Sequence, residues 1–100
     1  MKTELDNHIH NISALCKKHK VRNMYLFGSY SKGTQTVNSD IDLLVNFGSV
    51  DLYDYFDNFI DLKMSLEELL NKKVDLVEEK SIKNPVLKET INESKQLIYG

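Results

Sequence analysis

One hundred residues, 41% hydrophobic and 28% charged, suffice for one domain built on one hydrophobic core. A net charge of −2 and a pI near 5.9 argue against the basic face of a general nucleic-acid binder, so no direct nucleic-acid contact is expected. The lone Cys16 excludes an internal disulfide and a cysteine-built zinc centre, and no apolar run reaches the length of a membrane span or resembles a signal-peptide core, so the chain reads as cytoplasmic.

In chain order, Leu5, Ile9, Ile12, Leu15, Cys16 and His19 recur at helical spacing and predict an amphipathic helix over residues 3–19. Asn23 to Ser29 ("NMYLFGS") reads as a short strand stopped by Gly28. Ser31 to Ser39 is rich in turn formers, and its first residues could form a helical turn. Asp40 to Phe47 ("DIDLLVNF") is the clearest strand. Asp51 is placed to cap a helix running to about Leu70, with Leu52, Phe56, Phe59, Leu62, Leu66 and Leu69 as its apolar face. Lys72 to Glu79 reads as a third strand, Asn84-Pro85 opens a last helix with Pro85 at its first position, and "QLIYG" is a candidate closing strand. The order α, β, β, α, β, α, β predicts an α/β (α+β) fold: one domain over residues 1–100, with a small mixed sheet and helices packed against it.

Chemistry concentrates between Gly28 and Val45 ("GSYSKGTQTVNSDIDLLV"). Strand alternation sends Asp40 and Asp42 to one face, roughly 6.6 Å apart, and Ile41, Leu43, Val45 and Phe47 to the other. Two like charges held side by side are tolerated when a cation offsets them, and carboxylates without His or Cys suit Mg²⁺ or Mn²⁺. Alone, the D-x-D serves equally well as a turn cap followed by a solvated edge residue. Asp75 tips the balance: if its strand lies beside Asp40–Phe47 with the intervening helix as crossover, it converges on the same spot. Three carboxylates can hold two divalent ions and leave positive charge for an anionic substrate, the arrangement suited to phosphoryl or nucleotidyl transfer. Gly28 lets a phosphate approach the backbone, Ser29 adds a hydroxyl, Lys32 adds positive charge and Gly33 permits a tight turn, although the spacing is not that of a Walker A loop.

The combination "LFGSYSKGTQTVNSDIDLLV" followed by "VDLVEE" resembles the minimal nucleotidyltransferases (MNT) of the DNA polymerase β-like superfamily, over nearly the whole chain. The resemblance implies the nucleotidyltransferase fold. It implies that Gly28, Ser29 and Lys32 hold the triphosphate of ATP, and that Asp40, Asp42 and Asp75 are catalytic residues ligating two Mg²⁺ ions, with Mn²⁺ as substitute. One departure is Lys32, where the family often has arginine; the charge is kept and the bidentate fork lost. Members of the group act as antitoxins of small helical HEPN toxins, and some transfer AMP from ATP to a toxin tyrosine. Larger relatives carry a second domain for the acceptor; here that role is expected to fall to a partner protein. A non-catalytic antitoxin that neutralises by binding, and the catalytic subunit of a small-molecule nucleotidyltransferase, remain as alternatives.

Other features have plainer expected roles. His8 and His10 stand on different helix faces, and the three histidines read as surface or core-edge residues. Cys16 reads as a small buried hydrophobe. Phe56 and Phe59 are expected in the core, while Tyr53 and Tyr55 are candidates for an exposed, partner-facing patch. Glu78 and Glu79, adjacent and so on opposite faces, read as a solvated strand end and as rivals of Asp75.

Overall fold

The computed structural model describes residues 5–28 and 40–100. The expected turn region of Ser31 to Ser39, and with it Ser29, Lys32 and Gly33, lies outside the described residues. The described chain runs through α1 (Ile9–Lys18), β1 (Val21–Phe27), β2 (Ile41–Phe47), α2 (Leu52–Leu70), β3 (Val74–Glu78), α3 (Pro85–Ser94) and β4 (Gln96–Tyr99). The predicted first helix is shorter than expected, because a 3-10 turn over Asp6–His8 precedes α1 and His8 leaves helical geometry at φ −116°, ψ 11°.

The four strands form one sheet in the order β3-β2-β1-β4. β1 pairs antiparallel with β2 and with β4, while β2 and β3 run parallel, joined through α2 as the crossover. α2 begins where Asp51 accepts from the Tyr53 amide at 3.1 Å and ends at Asn71, in the left-handed region at φ 53°. In α3, Asn84 accepts from the amides of Val86 and Leu87, and Pro85 occupies a first-turn position that needs no donor.

The core lies between one sheet face and α1 with α2. Ile12 and Cys16 meet Met24 and Leu26 of β1, Ile41, Leu43, Val45 and Phe47 of β2, Val74 and Leu76 of β3, and Leu62, Leu66 and Leu70 of α2. Burial pushes the Cys16 thiol up to about 12, so it packs as a small apolar group, as expected. His19 is buried rather than marginal. Its Nδ1 lies 2.7 Å from the Leu15 carbonyl and its Nε2 2.6 Å from Asp61 Oδ2, tying the end of α1 to the middle of α2.

Two aromatic expectations are reversed. Phe56 is 70% exposed, whereas Tyr55 is half-buried, edge-on to Phe47 at 5.5 Å, and donates its hydroxyl to Glu78. The stripe that faces the sheet runs through Tyr55, Phe59, Leu62 and Leu66, so the helix is rotated from the face counted through Leu52 and Phe56. Tyr53 is 95% exposed, as expected.

Candidate active site

The second sheet face carries two of the predicted carboxylates, Asp42 and Asp75, while Asp40 stands immediately before β2. Asp42 lies directly opposite Asp75 in the parallel β2–β3 ladder and opposite Phe27 in the antiparallel β1–β2 ladder. One row across three strands therefore reads Asp75, Asp42, Phe27. Gly28 follows immediately, at φ +73°, packed onto Asp42. A Cβ built on Gly28 would stand 2.1 Å from Asp42 Oδ2, so both the left-handed backbone and the space demand glycine here. Gly28 and the second aspartate of the D-x-D are thus in contact, although fourteen positions separate them in sequence.

Asp42 is half-buried at the start of an apolar strand, while Asp40 and Asp75 are exposed. Burial, then the charge of Asp75, then that of Asp40, raise the Asp42 carboxyl above its ordinary range. All three carboxylates therefore act on one locus. Among the described residues, no three metal-ligating side chains are close enough to form a ready coordination cage, so the trio is linked by charge rather than by a coordination sphere. The site fits a hard divalent cation on two counts: the donors are all oxygens, and the half-buried Asp42 carries repulsion from Asp75 and Asp40 that a cation would relieve.

Farther along the same face lies a polar array that the sequence reading missed. Asn46 Nδ2 donates to Asn23 Oδ1 and to Glu79 Oε1, both at 2.7 Å. Glu79 Oε2 accepts from Lys95 Nζ at 2.9 Å, and that ammonium sits 4.3 Å from the Tyr25 ring centroid. Neither rival of Asp75 is a solvated strand end. Glu78 turns toward α2 to accept from Tyr55, and Glu79 is held by Asn46 and Lys95, whereas Asp75 has no such partner among the described residues and lies on the Asp42 row. The adjacency of Glu78 and Glu79 signals opposite faces, but partners 16 to 33 residues away leave no local trace.

A family model described as "Polymerase beta, Nucleotidyltransferase" matches residues 10–100. The chain belongs to the polymerase β-type nucleotidyltransferases. This nucleotidyltransferase is 46% identical over 82 residues to a Methanocaldococcus jannaschii protein provisionally named a protein adenylyltransferase, an alignment covering 82% of this chain and 79% of that one. Two solved structures resemble the nucleotidyltransferase in fold. One is a toxin–antitoxin complex with AMP-PNP (TM-score 0.72, 33% identity, covering 92% of this chain and 73% of the other). The second is a tri-AMPylated Shewanella oneidensis HEPN toxin in complex with its MNT antitoxin (TM-score 0.66, 27% identity, covering 98% and 73%).

Proposed function

We propose that this nucleotidyltransferase is an antitoxin that transfers AMP from ATP to a tyrosine hydroxyl of a partner HEPN toxin. The observation that carries the reading is the row joining Asp75 to Asp42, with Gly28 packed on Asp42: two carboxylates from different strands and a left-handed glycine meet at one spot, with Asp40 next to the start of the same strand as Asp42. The adenylyltransferase relative and the AMPylated toxin complex support AMP as the transferred group. Asp40 and Asp42 would hold two Mg²⁺ ions, with Asp75 on the one nearest the acceptor. Bound there, the ions would neutralise charge developing on the attacking and leaving oxygens. Gly28, Ser29 and Lys32 would hold the triphosphate. The new bond joins the tyrosine oxygen to the α-phosphorus; the bond to the β-phosphate breaks, pyrophosphate departs and the hydroxyl proton is lost.

Adenylate on the toxin would add bulk and negative charge, which repels an RNA phosphate backbone. No helix among the described residues is long and apolar enough to cross a membrane, consistent with work in the cytoplasm where ATP is supplied. Co-expression with the HEPN toxin, followed by intact mass, tests the reading. The toxin should gain whole adenylate units, and the double variant Asp40→Asn, Asp42→Asn should abolish both the gain and the protection. Full protection by that variant, with an unmodified toxin, would establish neutralisation by binding instead.

A further inference from the structure

β3 carries Asp75 and, among the described residues, is also an edge of the sheet, bonded only to β2. The parallel register pairs Ile41 with Val74, and Ile41 N donates to Lys73 O at 3.0 Å. That pattern spends the main-chain groups of Lys73, Asp75 and Val77 on β2 and turns those of Val74, Leu76 and Glu78 outward. Both ends of this free edge are occupied. Val74 N donates to Glu67 Oε2 at 3.0 Å, and Glu78 O accepts from Ser81 Oγ at 2.7 Å. Between them, neither the N–H nor the C=O of Leu76 has a partner among the described residues. Natural edges are usually blunted along their length, because an open one templates another strand.

Beside Leu76 runs an open groove of about 320 Å³, lined by Phe56, Phe59, Leu76, Val77 and Ser81. Its outer wall is apolar and bare: Phe56 is 70% exposed, and Tyr53 and Leu52 beyond it are 95% and 88% exposed. Asp51, Asp54 and Asp57 stand exposed around these side chains, and residues 49–62 contain four aspartates and no lysine or arginine. An apolar groove with an acidic rim suits a segment that carries apolar anchors and basic neighbours.

We propose, on the functional reading above, that an extended segment of the partner toxin adds to the free edge of β3, bonding to the Leu76 main chain. Strand alternation then sorts its side chains. One set enters the groove against Phe56 and Phe59, with lysine or arginine meeting Asp54 and Asp57. The other set lies on the carboxylate face, and the tyrosine belongs to it, one strand spacing from Asp75. The docking edge and the third carboxylate are the same strand, so binding itself delivers the acceptor hydroxyl to the site.

Amide hydrogen exchange on the full chain, with and without the co-expressed HEPN toxin, reads the pairing directly. The Leu76 N–H should exchange at least tenfold more slowly in the complex. Phe56→Asp, and separately Asp54→Lys with Asp57→Lys, should weaken toxin binding at least tenfold while the affinity for ATP with Mg²⁺ stays within twofold of the parent. Should Phe56→Asp impair ATP binding as well, Tyr53→Asp, at a nearly fully exposed position, gives the same comparison. Toxin modified on tyrosine with Leu76 exchange unchanged would overturn the docking site and leave the activity standing. Slowed Leu76 exchange with a toxin that never gains adenylate would retain the docking edge and overturn the activity. Tight toxin binding by both groove variants would overturn the proposal as well.

Discussion

Gly28 and Asp42 show how far one residue reaches in this site. Gly28→Ala would place a methyl group 2.1 Å from Asp42 Oδ2 on a backbone at φ +73°. The left-handed conformation alone costs an alanine about 1–2 kcal/mol, and the carboxylate must also swing away. The expected outcome is a midpoint loss of about 1–3 kcal/mol in urea titration, together with loss of Mg²⁺-dependent ATP binding by calorimetry. Asp42→Asn acts in the opposite direction on stability. A carboxyl raised by burial and by Asp75 and Asp40 destabilises the fold once ionised, and this penalty is absent when it is protonated at low pH and grows as pH rises through its raised folded value. The Asn variant should therefore melt at or above the parent temperature at neutral pH and close to it in acid, yet fail to bind ATP with Mg²⁺. Asp75→Asn should keep ATP binding and suppress transfer, which a filter assay against toxin mass would separate.

At the scale of elements, distant polar pairs lock the helices to the sheet. Lys95, at the end of α3, reaches over Tyr25 to Glu79, and both ion-pair side chains are largely buried. Hydrogen bonds from Asn46 and then Lys95 hold the Glu79 carboxyl below its ordinary range. A lowered carboxyl contributes stability that is present above its ordinary value and is lost as pH falls through its folded value. Lys95→Met should thus cost about 1 kcal/mol at neutral pH and less below pH ~4, read as two melting curves. The cap at Asn84 is a separate device: Asn84→Ala should cost about 1 kcal/mol without altering ATP affinity. On the helix-covered side, His19 donates to Asp61 and holds that carboxyl low, adding a second acid-labile link, between α1 and α2.

For the whole molecule, the sheet separates labour by face. Two helices seal one side with apolar residues, and the other side sets Asp42 beside Asp75 at one end, with Asp40 just ahead of the strand, and a polar array farther along. Such a face binds a triphosphate only when cations reverse its charge. ATP affinity measured by calorimetry should fall at least tenfold when excess chelator removes Mg²⁺, with the melting temperature in the absence of ATP little changed; equal affinity with chelator would refute the assignment of the carboxylates.

Most of the architecture was legible because it depends on near neighbours. Period-two alternation over Ile41–Phe47, the Asp51 and Asn84 caps and the Gly28 stop are all decided within a few residues. The parallel register that sets Asp75 against Asp42 could be stated only as a condition, since strand direction is fixed by how α2 packs across the sheet. The exact rotation of α2 was decided only in three dimensions. Phe56 and Tyr55 are both large and aromatic, so periodicity could not rank them, and the sheet chose the one whose hydroxyl finds Glu78. Buried His19, the Glu79–Lys95 pair and the open stretch of β3 at Leu76 share that character. Each joins or exposes groups far apart in sequence, and only packing the chain determines which polar groups meet a partner and which are left facing outward.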